Sequence, residues 1–186
     1  IIGSHGAGIY SVAVTAGTIA LPMVQALGNA AFAGLTTADH QATARAVRHG
    51  VALSMMCACL TAVLAWFGIP VVFGQDFSDA RVPSLILVAG SIVVGALFMM
   101  SMALVAQKRG AAMTMAQVTG LVVAVSLLYP LGQAAGPSGL ATAMVSGSCM
   151  TALVALRALH LTPWSVLPRP ADFPDAVRHL LGRIAR

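Results

Sequence analysis

Apolar residues fall into five long stretches separated by short polar breaks. The stretches run from about Gly8 to Leu35, Gly50 to Phe73, Val82 to Ala106, Ala111 to Tyr129 and Gly136 to Leu159. Each comes near or passes the roughly 20 apolar residues that a helix needs to cross hydrocarbon. Backbone groups in lipid must bond within their own segment, so helices are expected and no barrel-type alternation of strands is seen. The predicted fold is therefore all-α: a polytopic membrane helical bundle of five transmembrane helices over residues 1–160. A cytoplasmic tail, residues 161–186, follows it.

Polar positions inside the spans are few, and in the first span they are ordered. After Tyr10 its polar residues other than glycine are Ser11, Thr15, Thr18, Gln25 and Asn29. At about 100° per residue these five fall on one narrow stripe, and Pro22 falls there too. An amide facing lipid without a partner is costly, so the stripe must meet protein or water. Two readings compete. The stripe lines an aqueous pathway for a polar substrate, or it hydrogen-bonds to neighbouring helices. Five aligned polar residues with a proline exceed what packing usually needs, which favours the pathway. Pro22 also removes one helix hydrogen bond and is expected to kink the span. In the second span Ser54, Cys57 and Thr61 share a face, and in the fifth Gly139, Ala143 and Gly147 stand four apart. Both patterns predict close helix packing through small residues. Gln117 is a further cavity candidate.

Composition agrees with a lipid environment. The chain is 59% hydrophobic and 8% charged, against about 25% charged in an average soluble domain. Its net charge of +5 raises nucleic-acid binding as a possibility, but the basic residues sit between apolar spans, which argues against it. Arg45, Arg48, Lys108, Arg109, Arg157, Arg169, Arg178, Arg183 and Arg186 all fall on one side of the alternating topology, and only Arg81 falls on the other. The positive-inside rule then puts the first group, and the C-terminus, in the cytoplasm of a cell (inner) membrane. In the tail Pro163, Pro168, Pro170 and Pro174 interrupt regular structure, and Trp164 suits an interface. From Asp175 onward Val177, Leu180, Leu181 and Ile184 face one way while Arg178, His179, Arg183 and Arg186 face the other. This predicts a short amphipathic C-terminal helix, either on the anionic leaflet or docked elsewhere.

Little in the chain points to catalysis or cofactors. No Lys follows a glycine-rich phosphate loop. Cys57, Cys59 and Cys149 lie inside spans, odd in number, and predict neither disulfide nor zinc. The histidines lack ligand spacing on a common helix face, so no metal is assigned. Asp76 and Asp79 form a D-x-x-D pair in an outer loop that could hold a divalent ion. The simpler expectation is that Asp79 caps the third helix and pairs with Arg81. Arg45, Arg48 and His49 could attract a lipid phosphate, although orientation alone accounts for them. No catalytic residue and no cofactor is assigned, and the chain is expected not to be an enzyme. It begins with Ile1-Ile2-Gly3 and no signal peptide is visible. We expect the C-terminal piece of a longer protein.

The ordered segments resemble those of polysaccharide and oligosaccharide-lipid flippases of the multidrug/oligosaccharidyl-lipid/polysaccharide exporter superfamily. Gly8-Ile9-Tyr10-Ser11-Val12-Ala13 is similar to the family's G-x-Y-s-x-A. Pro22 and a basic inner loop, Thr36–Arg48, follow in the same order. Phe73-Gly74 with Phe77 and Ala80 resembles f-G-x-x-f-x-x-a, and Gln107-Lys108-Arg109-Gly110 resembles the short inner turn. Gly136-Pro137-Ser138-Gly139-Leu140-Ala141-Thr142-Ala143 with Ser146 resembles the closing G-x-x-G-x-A motif. The family's charged cavity residues have no counterpart here. The resemblance implies most of the second half of a transporter, with a missing N-terminal half as partner. It implies alternating access and a lipid-linked glycan substrate, with membrane lipids around it. A multidrug exporter of the same superfamily is the closest alternative. A membrane-embedded glycan-assembly enzyme or a subunit without transport activity is more distant.

Overall fold

A computed structural model describes residues 3–19, 21, 22, 25, 26, 29, 39–170 and 172–174, and all regular structure among them is helical. The elements are α1 (Gly3–Thr18), α2 (His40–Val72), a 3-10 helix (Gln75–Ala80), α3 (Arg81–Ala106), α4 (Gly110–Ala158) and a short α5 (Pro163–Val166). Three helical stretches, Gln41–Val72, Phe77–Ala106 and Gly110–Ala158, are long and apolar enough to cross a membrane. The protein is thus an all-helical membrane-type chain.

Helix α2 starts at His40 and not near Gly50, where the apolar pattern begins. Helix propagation does not require apolar residues, only a start signal and unbroken backbone bonds. Asp39 supplies the start: extended itself, it accepts a hydrogen bond from the Ala42 N–H at 2.7 Å. Arg45, Arg48 and His49 consequently ride on the first turns of α2 and not in a loop. The loop between α2 and α3 is also more regular than expected, because the 3-10 helix fills it. Ala80, not Asp79, stands at the N-cap of α3, with no side-chain cap. Among the described residues Asp79 and Arg81 form no ion pair. The Arg81 guanidinium lies 5.2 Å from the Trp66 ring centroid instead. Arg81 thus faces the ring's negative face and makes no ion pair with Asp79.

Helix α4 carries 49 residues, which would reach about 74 Å if straight, more than twice a bilayer's hydrocarbon. It is not straight. Ala135 and Gly136 leave helical geometry, and Gly136 has φ 54° and ψ −132°, a region that side chains beyond glycine rarely enter. Residues from the two arms then meet. A methyl group built on Gly147 would stand 2.7 Å from the Gly120 carbonyl oxygen, and one on Gly120 would collide with the Thr151 hydroxyl. Gly120 and Gly147 would be about 40 Å apart on a straight helix, so α4 doubles back into an antiparallel hairpin. The glycine spacing read from the sequence serves this contact, since Gly139, Ala143 and Gly147 are all buried. Ser54 and Thr61 are likewise buried on α2, and Ser54 bonds the Gly50 carbonyl at 2.8 Å.

Two apolar clusters mark the ends of the bundle. At one end Ala44 and Val47 from early α2 meet Met99, Met100, Ala103 and Leu104 from late α3. Ala116 and Ala155 from the two tips of α4 join them. At the other end Ile9 of α1, Ile69 of late α2 and Ala80 gather. The chain therefore runs up and down in alternation. Arg45, Arg48, Lys108, Arg109, Arg157 and Arg169 share the first end, and Arg81 sits at the second. Two helix exits there close on hydrogen bonds of Schellman type. Arg109 N–H reaches the Leu104 carbonyl at 2.8 Å and Leu161 N–H reaches that of Leu156 at 3.0 Å. The left-handed residue is Lys108 in one and His160 in the other.

The predicted tail helix beyond Asp175 lies outside the described residues. What precedes it is tied down. Asp172, 6% exposed, stands 3.3 Å from Arg48 Nε and 3.7 Å from His49 Nε2, and accepts the Arg169 N–H at 2.7 Å.

Candidate functional site

Helix α1 packs against α3 through one face. Ala13 and Gly17 are buried on the inward side, Ile9 and Ala16 cluster with Ile69 of α2, and a methyl group on Gly17 would press within 2.7 Å of Leu87 Cβ. The opposite face holds the stripe. Ser11, Thr15 and Thr18 are exposed on α1, while Gln25 and Asn29, described as individual helical residues, are exposed as well. Pro22 is helical and exposed between them. The stripe therefore does not satisfy itself by packing within this bundle. Its hydroxyls turn onto their own helix. Thr15 Oγ1 donates to the Ser11 carbonyl at 3.0 Å and Thr18 Oγ1 to the Val14 carbonyl at 3.0 Å. Each hydroxyl keeps its lone pairs for an outside donor, and such back-bonding is the usual way a membrane helix carries Ser and Thr.

The outward rows on α2 and on the first arm of α4 are mostly large and apolar, although Thr114, Gln117 and Ser126 are also exposed on that arm. On α2, Leu60, Val63, Leu64, Phe67 and Val71 are all at least 57% exposed. On the first arm of α4, Met115, Val118, Leu121, Val122 and Val125 are all at least 53% exposed. These are helical rows of large apolar side chains, contiguous well beyond what a water-facing surface carries. Gln117, the lesser cavity candidate, is exposed beside the second row.

Behind the stripe, α1, α3 and the second arm of α4 enclose a mainly apolar cavity of about 130 Å³. Tyr10, Thr18, Gly90 and Val145 are among its walls. Thr18 is the one stripe residue that reaches it. At the Arg81 end a cavity of about 440 Å³ is lined by Trp66, Asp79, Arg81 and Ser138. The side chain of Asp76 lies outside the described residues, so the D-x-x-D pair is represented by Asp79 alone. Among the described residues no group of three His, Cys or acidic side chains could hold a metal ion. Cys57 and Cys149 are half-buried and Cys59 is exposed, and none of the three is in a disulfide.

The pairing of Asp172 with Arg48 and His49 was not foreseen from the sequence. A signal existed: Asp172 is an acid in a proline-rich segment, and Arg45, Arg48 and His49 form a basic cluster elsewhere in the chain. Compared with known proteins, the chain matches no family model, no curated protein and no solved structure.

Proposed function

We propose that this chain is part of a membrane transporter of flippase type, moving a lipid-linked oligosaccharide or polysaccharide precursor across the cell membrane by alternating access. One observation carries the reading: Ser11, Thr15, Thr18, Gln25 and Asn29 are all exposed, while the exposed rows on α2 and the first arm of α4 are mostly large and apolar. In a bilayer, Ser11, Thr15, Thr18, Gln25 and Asn29 require water or polar partners, while the rows on α2 and α4 require lipid. A wet wall along a helix, with a proline in it, is what a polar headgroup needs to cross hydrocarbon without being stripped of its partners. Further helices of the same transporter supply the opposite wall. The apolar cavity behind Thr18 leaves α1 room to shift against α3. In this reading the chain crosses five times: α1 with its continuation, α2, α3 and the two arms of α4. The arginine-rich end faces the cytoplasm.

Cysteine scanning tests the wet wall. In a background with Cys57, Cys59 and Cys149 replaced, single cysteines at Ser11, Thr15, Thr18, Gln25 and Asn29 should react with a membrane-impermeant thiol reagent. Cysteines at Leu60, Leu64, Leu121 and Val125 should resist it. Equal resistance at both sets would remove the pathway. Transport of a lipid-linked glycan by the complete protein, measured against export of cationic drugs, separates the flippase from a multidrug exporter.

A further inference from the structure

We propose that the cleft between the start of α2 and the proline-rich tail is a binding site for a phosphate group. Its cavity of about 370 Å³ is lined by Gln41, Ala44, Arg45, Arg48, Ser165 and Arg169. Three guanidinium groups from two distant parts of the chain thus border one small volume. Asp172 offsets part of this charge: it stands 3.3 Å from Arg48 Nε. The same carboxylate oxygen accepts the Arg169 backbone N–H at 2.7 Å, which fixes where the Arg169 side chain begins. Among the described residues, the guanidinium groups of Arg45 and Arg169 have neither ion pair nor hydrogen-bond acceptor. Like charges held around one cavity repel, so the arrangement is stabilised by an anion between them.

The donor set selects the kind of anion. Guanidinium forks match the paired oxygens of phosphate, and several forks converging on one volume suit a group with three or more oxygens better than a single carboxylate. Gln41 lies on the first turn of α2, where the positive end of the helix dipole adds in the same sense. The Ser165 hydroxyl is already committed, donating to the Thr162 carbonyl at 2.7 Å, so it is not counted as a donor. Trp164, next to it, is 84% exposed. An outward tryptophan of this kind sits at headgroup depth, which places the cleft within reach of a lipid phosphate as well as a free one. The proposal is independent of the transport reading, because it concerns binding at one end of the bundle and not passage along α1.

The test uses the full chain in nanodiscs. Phosphatidylglycerol in a phosphatidylcholine background is one probe, with retained lipid counted by native mass spectrometry. Inorganic pyrophosphate added to pure phosphatidylcholine discs is the other, read as a shift in thermal midpoint. The double substitution Arg45→Gln with Arg169→Gln should cut the response at least tenfold. The corresponding Lys pair, which keeps the charge but not the forks, should retain only part of it, and Arg157→Gln, outside the cleft, should change nothing. A response confined to phosphatidylglycerol assigns the site to a lipid headgroup, and one to pyrophosphate assigns it to a free phosphate. If wild-type protein responds to neither, or the Gln pair responds as wild type does, the site does not exist. Both side chains are exposed, so an unchanged melt in phosphatidylcholine alone confirms that the double variant is folded.

Discussion

The exposed face of α1 and the exposed face of the first arm of α4 are similar in secondary structure and opposite in chemistry. One presents Ser11, Thr15 and Thr18. The other presents Met115, Val118, Leu121, Val122 and Val125. Both lie on the outside of the same bundle, so burial within this chain cannot explain the contrast. On the proposed transport reading, the difference lies in the medium each face meets. An apolar row is at ease in lipid, whereas a row of hydroxyls and amides there would forgo the hydrogen bonds it makes in water. Exposure alone is thus a poor guide to surroundings in a membrane protein, and the residue type at each exposed position is the better one.

Charge substitution offers the sharpest way to break this contrast. Arg placed at Leu121 should cost on the order of 3 kcal/mol, the penalty for a cation in mid-membrane. Loss of the monodisperse peak in fluorescence-detected size exclusion would report it. Arg at Thr15 should keep that peak. Equal damage at both positions would mean that α1 also faces lipid.

The contrast next depends on the hairpin that holds the first arm of α4 outward. Gly147→Leu would force a side chain against the Gly120 carbonyl, and overpacking of this kind costs about 1–3 kcal/mol. We expect a lowered thermal midpoint, while Met144→Leu, on an exposed position of the same arm, should leave it in place. Gly136→Ala should cost a similar amount through backbone strain alone.

A comparable effect, about 2 kcal/mol, is expected for Asp172→Asn, which leaves Arg48 mostly buried without a counter-charge. Limited proteolysis should then cleave the tail near Pro168–Pro170 faster than in wild type. If protection is unchanged, the ion pair does not hold the tail. The least effect is a gain. His160→Gly relieves a left-handed residue at the end of α4, and should raise stability by roughly 0.5 kcal/mol after the added freedom of the unfolded chain is counted. Changes at that cap should leave thiol labelling along α1 untouched.

Apolar length and the rhythm of small residues were enough to locate most of this architecture. The bounds of α3 match expectation within a residue. The packing glycines of the last span are where their spacing put them, and the stripe on α1 is one continuous choice of residue type. Helix ends were harder to read. Asp39 begins α2 well before its apolar pattern, because a cap and a hydrophobic run are independent signals. Asp79 looked like a cap by sequence position, but Ala80 took that place and Arg81 turned to Trp66, an aromatic partner donated by another helix. Arg45 and Arg48 stood together in the sequence as a possible phosphate site, but nothing linear pointed to Arg169 as their partner in the cleft.

The sequence alone determines that this chain belongs in a bilayer, that its regular structure is helical, and which helix carries polar residues along one edge. Those properties follow from counts and periods of residues, which are local and additive. Which end of α4 returns to meet its beginning, which side of α1 is left outward, and which acid meets which arginine were decided by the tertiary structure. Each of these depends on contacts between residues far apart in the chain, where shape and charge are matched only once the helices are side by side.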